Sequence, residues 1–364
     1  MKRVSLIKLL TILVAIFISS AVVARAGCSD KFSTTLVKYY ETEYELPPAA
    51  QRDETAESIC NIRTEGSRRF CVVRLWGALH RPDFNPDALF QKFPTLILNH
   101  GSENPFNAFG KYCKVAQFFV PKGYVVFVPF RRGQGDPETL EGNRRSSGKY
   151  IEDVLNDFVS NPSHHNTTCT TKACYKAQLL KLEADEEVAL AAHYVTVTAD
   201  LVTREANGDY KLAVGGNSYG GAVTVFFNRK NHGQKAVMAF APAAQNWGNV
   251  DFQYAAAGWD LSLDRTTLLG TLLNAAQNAK QPAFYLQAKW DYDTRATIDL
   301  AYAHAYGSSD PTHGNRFMAS IFSYKKFSFE NGQVDFQSAH GGFSEATEEW
   351  GRSVRAFLIQ YGVN

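Results

Sequence analysis

The chain has 364 residues, of which 45% are hydrophobic and 20% charged, a globular balance that excludes wholesale disorder and suits one large α/β domain. The formal charge of +2 is unevenly placed: Lys2, Arg3, Lys8 and Arg25 lie in the first 26 residues, which hold no Asp or Glu. Removing these four from 38 basic residues leaves 34 against 36 acidic ones, a net of −2, so a basic nucleic-acid footprint is excluded.

Residues 1–26 read as an export signal. Lys2, Arg3 and Lys8 form a positive opening, Leu9 to Ile18 an apolar stretch, and Ala24-Arg25-Ala26 the small-x-small pattern that a signal peptidase cuts. The apolar stretch falls short of the ~20 residues of a membrane span. Arg25 stands where a lipoprotein signal has an aliphatic residue, which argues against lipidation at Cys28. The rest of the sequence offers no other span, so a secreted or periplasmic protein is expected.

All six cysteines, Cys28, Cys60, Cys71, Cys113, Cys169 and Cys174, follow the expected cut. An even count in an exported chain reads as disulfides. Short loops favour Cys60–Cys71 and Cys169–Cys174, which leaves Cys28–Cys113. A metal site from His164, His165, Cys169 and Cys174 is the rival, and its spacing fits no familiar zinc pattern. No metal or organic cofactor is expected.

Next in the chain, Cys71 to His80 suits an antiparallel entry strand or hairpin. Short apolar runs bounded by turn residues then recur at Thr95–Leu98, Val125–Val128, Leu212–Val214, Val237–Phe240 and Phe284–Leu286. Such runs suit strands buried on both faces of a parallel sheet. Between them, Val188, Ala191, Ala192 and Val195 share one helical face after an acidic opening at Glu183 to Glu187. Trp350, Val354, Phe357, Leu358 and Tyr361 form a second apolar stripe near the C-terminus. The alternation predicts an α/β fold with a mostly parallel central sheet flanked by helices, built as one domain over residues 27–364. The polar stretch Pro137 to Lys181 interrupts it as an insertion, with a short helix at Tyr150–Phe158. Two readings stay open for the insertion, a cap over the active-site face or a surface excursion stapled by a disulfide.

The chemistry is carried by three places. Gly216-Asn217-Ser218-Tyr219-Gly220 matches G-x-S-x-G between an apolar run and a helix expected from Ala222, where a serine is held exposed on a sharp turn. His100-Gly101-Ser102 follows an earlier strand, where a backbone N–H near Ser102 would join that of Tyr219 in an oxyanion hole. His100 precedes Ser218 and is read as structural, because the order required is serine, acid, histidine. The stretch after Phe284–Gln287 offers Asp291 as the acid, with Asp293 second; Asp260 and Asp264 are read as loop charges. His340, in Ala339-His340-Gly341-Gly342-Phe343 ahead of the last helix, is the base. Arg131 and Arg132 are either a carboxylate-binding pair or salt-bridging residues under a turn.

These motifs resemble the dienelactone-hydrolase-related group of α/β-hydrolases, similar also to prolyl-oligopeptidase-type catalytic domains. The carrying stretches are Thr95–Pro105, Gly123–Gly135, Val214–Gly221, Phe240–Trp247, Leu286–Asp293 and His340–Phe343. The resemblance runs from about Cys71 to the C-terminus, outside the insertion. It implies the α/β-hydrolase fold, with Ser218 as nucleophile, Asp291 as acid and His340 as base. Dienelactone hydrolases proper carry cysteine where this chain has serine, which favours a general ester or amide hydrolase. The expected reaction is carboxylic ester cleavage of a small molecule through an acyl-enzyme. A peptidase and a catalytically inactive binding module on the same fold are the alternatives.

Overall fold

A computed structural model describes residues 28–29, 32–46, 61–83, 92–101, 105–131, 172–199, 201–242, 261–291, 294–307, 317–322 and 339–364. The expected signal, residues 137–171 of the insertion, Ser102, Arg132 and Asp293 lie outside them.

Three antiparallel strands open the fold: β1 (Phe32–Glu45), β2 (Asn61–Glu65) and β3 (Arg68–Pro82). Six mutually parallel strands follow: β4 (Thr95–Asn99), β5 (Val125–Pro129), β6 (Leu212–Asn217), β7 (Ala236–Phe240), β8 (Ala283–Ala288) and β9 (Phe317–Phe322). The order across the sheet is β1-β3-β5-β4-β6-β7-β8-β9, with β2 paired to β3. β3 meets β5 antiparallel and every pair from β5 to β9 is parallel. The chain has the α/β-hydrolase fold. The entry strand expected at Cys71 to His80 is the inner part of β3.

Every residue of β4 to β8 is buried, because helices cover both faces. Side chains alternate across a strand, and neighbours in sequence enter opposite cores. Ile97, Val125, Phe127, Leu212 and Val214 join one cluster, while Leu96, Leu98, Val126, Val128 and Ala213 join the other. Helices α1 (Pro105–Phe119), α7 (Gly342–Glu345) and α8 (Thr347–Gln360) pack on the second face. The first face carries α2 (Lys172–Leu182), α3 (Val188–His193), α4 (Tyr219–Phe227), α5 (Leu261–Gln277) and α6 (Thr294–Gly307).

The acidic run Glu183–Glu187 corrects one expectation. It does not open a helix; it is a π-helical turn joining α2 to α3. Glu183 and Glu187 are buried within it. Val188, Ala191, Ala192 and Val195 do share a buried face.

Cys28 is disulfide-bonded to Cys113 of α1, and Gln117 Nε2 donates to the Cys28 carbonyl at 2.8 Å. Cys71 and Cys174 are also half-cystines; Cys60 and Cys169 lie outside the described residues. Among the described residues no helix is long and apolar enough to cross a membrane.

Candidate active site

The turn between β6 and α4 consists of one residue. Ser218 takes φ 57° and ψ −121°, a conformation that costs a residue with a Cβ about 1–3 kcal/mol. The turn is held from outside: the Ser218 N–H donates to Phe240 O of β7 at 2.9 Å. The helix begins at Tyr219, not at the expected Ala222, although two glycines, weak helix formers, occupy its first turn. They are there for space. A Cβ on Gly220 would meet His100 O at 2.5 Å, and one on Gly216 would meet Asn99 O at 2.8 Å. Helix α4 therefore presses onto the end of β4. Asn99 Nδ2 donates to Thr224 Oγ1 at 3.1 Å, Thr224 Oγ1 to Gly220 O at 2.8 Å, and Tyr112 Oη to Asn99 O at 2.7 Å.

Asp291 and His340 come from two other loops. Asp291 lies just past β8, where its N–H donates to Ala288 O at 3.1 Å while Lys289 N–H ties the turn to Phe322 O of β9 at 2.9 Å. His340 precedes α7, which is anchored by Phe343. That ring stacks on Trp350 with centroids 5.4 Å apart, packs against Tyr112 at 5.1 Å, and its carbonyl accepts from Trp350 Nε1 at 2.9 Å. His340 Nδ1 lies 2.9 Å from Asp291 Oδ1 and 3.1 Å from Oδ2. A carboxylate in this position accepts a hydrogen bond from Nδ1–H, which keeps the proton there and leaves Nε2 as the basic nitrogen. Asp291, the first choice from sequence, makes this bond; Asp293 lies outside the described residues.

Tyr219 stands at the N-terminus of α4, where first-turn N–H groups have no intrahelical acceptor. The β4–α1 connection, expected to supply a second donor at Ser102, is described through Gly101. His100 is buried, and burial with the nearby Arg131 guanidinium pushes its pKa well below the ordinary value. The neutral ring's Nδ1–H donates to Gly101 O at 2.9 Å.

Arg131 is where sequence reading fell short. It is buried at 7% exposure, and its guanidinium donates through Nη1 to His100 O and through Nη2 to Gly101 O. Of the two readings weighed, the structural one describes it better, although its partners are backbone carbonyls as much as an acid. A usable signal existed: the register Ile97↔Phe127, continued past the strand ends, sets Gly101 beside Arg131.

No protein-family profile matches the chain, and no curated protein matches it in sequence. It is similar in structure to a Pyrococcus furiosus esterase (14% identity, TM-score 0.48, covering 88% of this chain and 91% of that one). It is also similar to a Klebsiella pneumoniae protein assigned as a dienelactone hydrolase (15%, 0.42, covering 88% and 100%). A third is a Pyrococcus horikoshii acylaminoacyl peptidase (11%, 0.46, covering 88% and 41%).

Proposed function

We propose that the chain is an exported serine hydrolase that cleaves carboxylic esters of small molecules through an acyl-enzyme. The observation that carries this reading is the His340–Asp291 hydrogen bond at 2.9 Å, formed between loops that leave the same fold as the strained Ser218 turn. In this reading His340 Nε2 takes the Ser218 proton as Oγ attacks the ester carbonyl, and Asp291 holds the imidazole in the required tautomer. N–H groups at Tyr219 and Ser102 receive the oxyanion. The tetrahedral adduct collapses, the alcohol leaves with the proton from His340, and water releases the acid by the same steps in reverse order. Metal and organic cofactors have no step in this scheme.

The test uses the purified protein with a fluorophosphonate and with p-nitrophenyl esters of graded acyl length, beside peptide and lactone substrates. Labelling and ester turnover that both vanish in Ser218→Ala are expected. Faster cleavage of peptides than of esters would move the assignment to a peptidase. Absence of labelling in the wild-type protein would leave an inactive binding module.

A further inference from the structure

The guanidinium of Arg131 gathers partners from three elements around the candidate oxyanion hole. Its two terminal nitrogens donate to the consecutive carbonyls of His100 and Gly101. Its flat face lies over the Tyr219 ring, 4.7 Å from the centroid. Behind it, Nε lies 3.7 Å from Glu183 Oε1 in a pair with both side chains 8% exposed. Glu183 reaches this position from the π-helical turn, a local widening that recurs at functional sites.

We propose that Arg131 is the positioning residue of the oxyanion hole, setting the β4–α1 backbone against the N-terminus of α4 so that N–H groups from both converge on one oxygen. The proposal rests on the Ser218 hydrolase reading. A trans peptide carries its C=O and the next N–H antiparallel, and no cis peptide occurs among the described residues. With the His100 carbonyl turned onto the guanidinium, the Gly101 N–H of the same peptide unit faces the other way. The ring stacked on the guanidinium belongs to Tyr219, whose own backbone N–H opens α4. One cation thus orients both sides of the hole. The task calls for arginine, since lysine offers a point charge with neither the planar fork nor a stacking face. Glu183 offsets the cost of burying the cation and holds it from the rear.

A group that only aligns oxyanion donors acts on the transition state and leaves ground-state binding almost untouched. Arg131→Lys is therefore expected to lower kcat for a p-nitrophenyl ester about 10- to 100-fold with KM changed less than about twofold. Affinity for an alkylboronic acid, which adds to Ser218 as a tetrahedral anion, should fall by the same factor as kcat/KM. Millimolar guanidinium, and not ammonium, should restore part of the turnover of Arg131→Ala. A folded Arg131→Lys enzyme with wild-type kcat, or one impaired in KM alone, overturns the proposal. If Arg131→Lys does not fold, Glu183→Gln carries the test: it loosens the rear support at equal size, and a severalfold loss in kcat at unchanged KM is expected, an unchanged kcat being the overturning result. Activity retained in Ser218→Ala would instead defeat the hydrolase reading, and the proposal with it.

Discussion

Asp291 and His340, 49 residues apart in sequence, share a bifurcated contact in which one Nδ1 faces both carboxylate oxygens at 2.9 and 3.1 Å. The acid's side chain is fully buried and the imidazole is 12% exposed, so the pair has one wet end, on the histidine. An amide in place of Asp291 would present its N–H₂ as readily as its oxygen and would stabilise the wrong tautomer. Asp291→Asn is expected to lower kcat about 10³- to 10⁴-fold, with Asp293→Asn within a few-fold of wild type. The opposite ranking in steady-state ester hydrolysis would transfer the role to Asp293.

The Ser218 backbone sits at φ 57°, where glycine is unstrained and any side chain is not. Ser218→Ala keeps that strain and Ser218→Gly releases it, partly offset by the greater freedom of glycine in the unfolded chain. Both variants should be inactive, yet Ser218→Gly should be more stable than Ser218→Ala by about 1 kcal/mol. Urea melts of the two proteins decide it, and equal midpoints would mean that the turn relaxes without the hydroxyl.

Acid should weaken the fold through its buried histidines. Burial pushes His80 down to about 3 and His304 down to about 4, while both keep a pKa near 6.5 in the unfolded chain. The folded state thus refuses protons that the unfolded chain accepts, so stability is complete above pH 6.5 and drains away as pH falls towards 4. Thermal melts should be flat above neutrality and decline through that window. His80→Gln and His304→Gln should each flatten the decline, whatever they do to Tm at neutral pH. A slope unchanged in both variants would assign the acid sensitivity to other groups.

The Cys28–Cys113 bridge closes a span of 85 residues. Loop-closure entropy sets an upper bound of about 4.5 kcal/mol for a span of this length, and native bridges deliver about 2–5. Replacing both cysteines by serine should therefore cost about 2–4 kcal/mol. Ester turnover at low temperature should persist, because Tyr112 still ties α1 to β4 through Asn99 O. A double variant with wild-type Tm would show that the N-terminal segment is held by other contacts.

Much of this molecule is written locally. A strand buried on both faces must be apolar throughout, and β4 to β8 stood out for that reason. The glycines around Ser218 could be read because the close approach of α4 to β4 excludes a Cβ whatever lies elsewhere. The outer strands were less legible. In β1, one face meets solvent and the pairing with β3 shifts between Lys38 and Tyr40, which breaks the alternation that would mark it. The order serine, acid, histidine was likewise present in the sequence, but the bond between His340 and Asp291 depends on where two loops end. Glu183 reads in sequence as part of an acidic helix opening, and Arg131 as a carboxylate-binding residue or a salt-bridging residue under a turn. Each is decided by the other and by the Gly101 carbonyl. A charged side chain carries no local mark of its eventual partner, and strand register brings these three together from distant parts of the chain.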